Sequence, residues 1–199
     1  MVSHRTLERL FAAVEGELVL SVRWRAGDLD RLMDRTHASL VERVAARLAR
    51  MGWQVHPEVS FSHFGERGSI DLLAWDPDRR AAVITEVKSE ITGVEETLRR
   101  HDAKVRLASV IVRERFGVNP RTVSKLLVLP DTTTARRRIA AHPETFGRAY
   151  PDRGAAVRRG LRTRDGPVNG VLFEAIPPDA RPRRRIRVRV RAAPAQEAA

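Results

Sequence analysis

The 199-residue sequence has no cysteine, which excludes disulfides and thiolate zinc sites. Its six histidines are scattered without ligand-like spacing. Any metal must therefore sit mainly on carboxylate oxygens, which favours magnesium or manganese over zinc. No apolar run approaches the length that spans a bilayer, and the opening MVSHRTLERLF lacks the charged-then-apolar layout of a signal peptide. These absences predict no membrane segment and a cytoplasmic location. No glycine-rich phosphate loop or nucleophile motif is visible either, which leaves a small-molecule enzyme unsupported. Lysine is scarce as well: of 37 basic residues only Lys88, Lys104 and Lys125 are lysines.

What is abundant is arginine. The formal charge of +12 points to an anionic partner, because a basic surface gains affinity for nucleic acid by releasing phosphate counterions. Part of that charge carries little weight. The excess of arginine over lysine, together with much alanine, is the pattern of a GC-rich coding sequence, and seven arginines lie between Arg181 and Arg191. At this length and 42% hydrophobic content, one core with short extensions is expected.

Leu7, Leu10, Phe11 and Val14 have helical spacing, and residues 18–24 alternate as a strand does. Asp28 can cap a long helix with the stripe Leu29, Leu32, Met33, Leu40, Val41, Val44, Leu48 and Met51, ended by Gly52. Three strands follow, over residues 55–61, 69–75 and 81–88, with a break at 65–68 and a tight turn at Asp76-Pro77-Asp78-Arg79 between the last two. A second helix is expected over 94–116, preceded by Thr92 or Gly93. Next come a buried strand over 126–129, a helix over 135–141 capped within 132–134, and a strand over 171–176. The predicted division is an extension at 1–27, an α/β domain at 28–176 and a flexible basic tail at 177–199.

The hairpin predicts a site. If Asp76 pairs with Arg79, then Asp71 faces Ile84, and parity sends Asp71, Glu86 and Lys88 to one side of the sheet. The arrangement survives a four-residue loop with Trp75 opposite Arg80 and fails if the register slips by one. Two ionised carboxylates on an apolar face repel each other and are costly to desolvate unless a cation lies between them. A divalent metal on Asp71 and Glu86, with the Val87 carbonyl nearby, resolves that conflict. Lys88 would lower the pKa of an attacking water or stabilise transition-state charge, work that suits a compact ammonium. Taken alone, Glu-x-Lys is also what a solvated strand edge looks like.

The stretch GERGSIDLLAWDPDRRAAVITEVKSE resembles the core of the PD-(D/E)XK nuclease superfamily, the restriction endonuclease-like fold. The resemblance spans residues 28–129 and implies an α/β/α sandwich around a mixed sheet. It also implies magnesium-dependent hydrolysis of DNA, with manganese as a substitute metal. Asp71, Glu86 and Lys88 match the family's acid, acid and lysine, whereas Ile70 stands where the naming proline would be. Resolvase-like members carry a glutamate on the preceding helix. Glu42 matches it, on a flank with Ala38, Ala45, Ala46 and Ala49 that suggests close approach to the sheet, although an exposed glutamate paired with arginine fits equally. The following helix often touches the scissile phosphate in such nucleases, which makes His101 and Lys104 candidate substrate contacts beside the alternative of surface solvation. Glu58, Glu66 and Glu90 are weaker acids of interest, and Trp24, Trp53 and Trp75 read as packing residues.

Residues 5–27 are similar to the last helix and outgoing strand of bacterial helix-turn-helix regulators joined to nuclease-like domains. The 18–24 strand could then pair with a second copy, giving a homodimer. Two readings follow: a DNA-hydrolysing enzyme, or a non-catalytic DNA-binding regulator that kept the fold.

Overall fold

The computed structural model describes residues 26–176, with side chains from Asp34 onward. The expected helix at 5–14, the strand at 18–24, Trp24 and the segment 177–199 lie outside the described residues, as do the side chains of Leu29, Leu32 and Met33.

Helix α1 (Ala26–Arg50) turns Thr36, Leu40, Val44 and Leu48 inward, one residue per turn, and buries all four. Full burial of each leucine is worth about 2 kcal/mol. Strands β1 (Gln54–His63), β2 (Glu66–Asp76) and β3 (Ala81–Val87) form an antiparallel meander. The 65–68 segment is not a break: β2 already begins at Glu66, and Gly68 lies in the strand beneath the Phe61 ring.

After β3 the chain changes direction of pairing. Helix α2 (Val94–Phe116) carries it back to β4 (Thr122–Pro130), parallel to β3. Three short helices then lead to β5 (Asn169–Glu174), parallel to β4. They are α3 (Thr133–Ala140), with Thr132 Oγ1 capping Ala135, α4 (Pro143–Ala149) and α5 (Gly154–Thr163). The sheet order is β1-β2-β3-β4-β5. The sequence predicts α3 but neither α4 nor α5.

Alternation along the strands divides the core between two faces. Leu72, Ala74, Val83, Leu126, Val128 and Leu172 pack under α1 and α5, whereas Leu73, Trp75, Ala82 and Ile84 pack under α2. Leu127, Leu129 and Val171 meet Phe146 and Tyr150 around α4. The result is the expected α/β/α sandwich around a mixed sheet. Trp53 and Trp75 are packing residues: Trp53 Nε1 donates to the Leu161 carbonyl at 2.8 Å, and Trp75 stacks on Phe116 with centroids 5.3 Å apart. Where β5 crosses α5 the backbone must come close. A Cβ on Gly170 would lie 2.3 Å from a Val157 methyl, so any side chain there forces Val157 to shift.

The β2–β3 turn corrects one expectation. Asp76 pairs with Ala81 rather than Arg79, leaving a four-residue loop at 77–80 whose Asp78 and Arg79 N–H groups Asp76 Oδ1 accepts. Leu72 therefore faces Thr85. The register moves by two residues, so the faces stay as predicted and only the partners change.

Candidate active site

The ordered pairing of β2 with β3 stops at Leu72 and Thr85, and the next residues in register are Asp71 and Glu86. Between β1 and β2 one pair is skipped, Glu58 with Asp71, because Glu58 adopts a left-handed backbone with φ 49°. Asp71 thus lies where the ladder is interrupted on both sides. Its Oδ2 accepts the Val87 N–H at 2.6 Å, which ties the carboxylate to the end of β3.

Glu86 projects from β3 toward α2, 1% exposed. Its Oε1 receives Lys88 Nζ at 2.8 Å, and its Oε2 receives Lys104 Nζ from α2. The same Lys104 ammonium is 3.7 Å from Asp71 Oδ1. Asp71, Glu86 and Lys88 therefore meet as hairpin parity requires, and Lys104 joins them as a second ammonium. Lys104 is not displayed on the surface of α2. It is 9% exposed and spans the two acids.

The two carboxyls respond differently. Burial pushes Asp71 above the usual carboxylate range and the neighbouring Glu86 charge adds to it. Lys104, the Val87 N–H and His37 of α1 oppose both effects without cancelling them. Burial would also raise Glu86, but Lys104 and Lys88, each by charge and hydrogen bond, more than offset it and hold it below its ordinary value. Asp71 is thus the carboxylate with insufficient positive charge around it, and Glu86 the one already neutralised.

His101 requires a correction. It is fully buried, so it cannot meet a phosphate on the surface of α2. Nε2 donates to the Ile84 carbonyl at 3.0 Å, and Nδ1 accepts from the Tyr150 hydroxyl at 2.8 Å. This tautomer follows because a carbonyl can only accept. Burial lowers the histidine pKa to about 4, so it is neutral at pH 7, and burial likewise raises Tyr150. Lys125, the third lysine, pairs with Asp102 and lies 4.5 Å from the centre of the Tyr150 ring. All three lysines of the chain therefore belong to the site or to the network directly beneath it.

Glu42 is a second correction. The inward stripe of α1 runs through Thr36, Leu40, Val44 and Leu48, which places Glu42 about 160–200° away at 100° per residue, exposed on the outer face. Of the alanines beside it, Ala38, Ala46 and Ala49 are exposed, and half-buried Ala45 packs against the core. The α1 residue whose charge Asp71 feels is half-buried His37, which sequence reasoning missed although it lies one turn before the inward Leu40 and Val41. Glu66 pairs with Arg106, and Glu58 and Glu90 are exposed, so none of them joins the cluster. Among the described residues no three metal-ligating side chains of the histidine or carboxylate kind come close enough to share one ion.

No family model matches the chain, and no curated protein does. Among solved structures, the chain is similar to a repair endonuclease from Pyrococcus abyssi, with 16% identity and a TM-score of 0.30. The match covers 62% of this chain and 46% of that one, so the chain spans about half the length of that neighbour. No described helix is long and apolar enough to cross a membrane.

Proposed function

We propose that this chain is a metal-dependent nuclease that hydrolyses DNA phosphodiester bonds at the Asp71, Glu86 and Lys88 cluster. The observation that carries the reading is a buried and a half-buried carboxylate, Glu86 and Asp71, drawn together at the interrupted end of the β2–β3 hairpin and flanked by two of the chain's three lysines. A structural salt bridge needs one acid and one base. Here two acids converge although burial raises the cost of ionising Asp71.

The residues fit magnesium or manganese. Asp71 Oδ1 and Glu86 are hard oxygen donors, and Lys104 stands 3.7 Å from Asp71 Oδ1, beyond hydrogen-bond reach. Asp71 and Glu86 would hold the ion, which when bound supplies a water of lowered pKa and polarises a phosphoryl oxygen. Glu42 lies too far round α1 to be a third ligand.

The chain's own groups do the rest. Lys88 is one-third exposed and held against Glu86, so its ammonium can reach a substrate oxygen while its stem stays fixed. There it stabilises the charge that develops on the phosphate, and removal of such a donor typically costs about 10²–10³ in rate. Val87 N–H fixes the Asp71 carboxylate through Oδ2, which leaves Oδ1 on the side of Lys104. His101, neutral and bonded to Ile84, steadies β3 two residues before Glu86.

A second reading, a DNA-binding protein that does not cut, is favoured by one observation: two carboxylates and two ammoniums make the cluster formally neutral, and among the described residues no third acid joins it. Magnesium-dependent cleavage of plasmid DNA separates the two. Cleavage lost in Asp71→Ala supports the enzyme, whereas metal-independent binding without cleavage supports the regulator.

A further inference from the structure

Lys104 is a cation in the place that a metal would claim. Its ammonium bonds Glu86 Oε2 and faces Asp71 Oδ1, one oxygen from each of the two acids that would hold the ion. Glu86 Oε1 is taken by Lys88 and Asp71 Oδ2 by the Val87 N–H. Every carboxylate oxygen therefore has a positive or donor group beside it, and an ion held by both acids must compete with Lys104.

The residue type suits a group that must move. A lysine reaches from α2 on four rotatable carbons with one compact charge, whereas the planar guanidinium used almost everywhere else in this sequence would lock a carboxylate in a two-pronged clasp. Once withdrawn, an ammonium needs another anion, since a desolvated charge without a partner is costly. At a nucleic-acid site that anion is a phosphate.

We propose that Lys104 is a tethered counter-ion that holds Asp71 and Glu86 until a phosphate of bound DNA draws it away, so that metal binding and DNA binding are positively coupled. This rests on the reading of the cluster as a nuclease site. Without DNA, the ion competes with an internal cation and binds weakly. With DNA, the carboxylates are released and binding tightens. Reciprocity requires the metal to tighten DNA binding by the same factor.

The test is manganese binding to the whole chain, followed by the loss of the free-ion paramagnetic resonance signal, with and without a short phosphorothioate duplex that resists hydrolysis. Wild type should bind manganese about tenfold more tightly when the duplex is present, inside the roughly 5–150-fold range of coupled sites. Lys104→Met should reach that tighter affinity without DNA and gain little when DNA is added. Lys104→Gln, which keeps a donor for Glu86, serves the same purpose if the methionine variant does not fold. Equal manganese affinity in wild type and variant, both with and without duplex, overturns the coupling.

Asp71→Asn separates this failure from failure of the underlying reading. If Asp71→Asn abolishes manganese binding while Lys104→Met changes nothing, only the counter-ion role is wrong. If Asp71→Asn leaves manganese binding intact, or no protein binds the ion in any state, the metal site itself is wrong and the coupling falls with it.

Discussion

Lowering the pH should destabilise this protein through one residue in particular, His101. Its ring is fully buried, with Nε2 on the Ile84 carbonyl and Nδ1 on the Tyr150 hydroxyl. Burial lowers its pKa from 6.5 to about 4. The sign follows from proton counting. Between these two values the unfolded chain binds a proton that the folded chain refuses, so stability falls as pH falls. The loss begins near the unfolded value of 6.5, is complete near 4, and then levels off. At about 1.4 kcal/mol per unit, the full effect is about 3 kcal/mol, a large part of the usual 5–15 kcal/mol of a small domain. Urea denaturation at several pH values across this window measures it. His101→Gln should be less stable at pH 7.5, because it loses ring packing and hydrogen bonds. Its stability should nevertheless decline less on acidification, by about 3 kcal/mol relative to wild type. Carboxylate titrations shared by both proteins cancel in that difference. Parallel pH profiles for wild type and His101→Gln would refute the reasoning.

Three other outcomes follow from particular contacts. Arg47 clasps the buried Glu174 with bonds of 2.9–3.1 Å, while Arg43 reaches it only at 3.5 Å, so Arg47→Met should cost about 3 kcal/mol in chemical denaturation. A loss below about 0.5 kcal/mol would mean that Arg43 and water suffice. Gly170→Ala should destabilise by about 1–3 kcal/mol through its clash with Val157, and adding Val157→Ala should make the double variant more stable than the sum of the singles predicts. Simple additivity would show that the clash is relieved elsewhere. Lys88→Met should lower kcat about 10²–10³-fold with little change in KM for DNA, and Lys88→Arg should not restore it. A KM effect with normal kcat would instead place Lys88 in ground-state binding.

Much of the site was legible because strand parity is robust. The turn proved two residues longer in its pairing than expected, yet Asp71, Glu86 and Lys88 still share a face, since a two-residue slip preserves alternation. Helices were harder to read. On α2 the buried stripe passes through Thr97, His101, Lys104, Ala108 and Ile111, a run whose first half is polar. Polar residues on an inward face read as solvated ones, because sequence does not show that Tyr150 and Glu86 will satisfy them. Spacing alone carried a signal that could have been used: His101 and Lys104 lie on one line with Ala108 and Ile111. The same geometry sets Glu42 apart, since it is out of phase with Leu40, Val44 and Leu48 and on the side of exposed Arg35, Ala38, Ala46 and Ala49. Helices α4 and α5 escaped because they are short and rich in arginine, glycine or proline, and their few apolar anchors, Phe146, Val157 and Leu161, gain meaning only against β4 and β5.

The central claim is that the paired carboxylates and Lys88 cut DNA. Its most direct test is cleavage of supercoiled plasmid and branched DNA in magnesium or manganese by wild type, Asp71→Ala and Lys88→Ala. The account predicts metal-dependent cleavage by wild type that falls at least about 100-fold in each variant while both remain folded. Equal activity in all three proteins, or none in wild type over a broad panel of DNA structures, would contradict it.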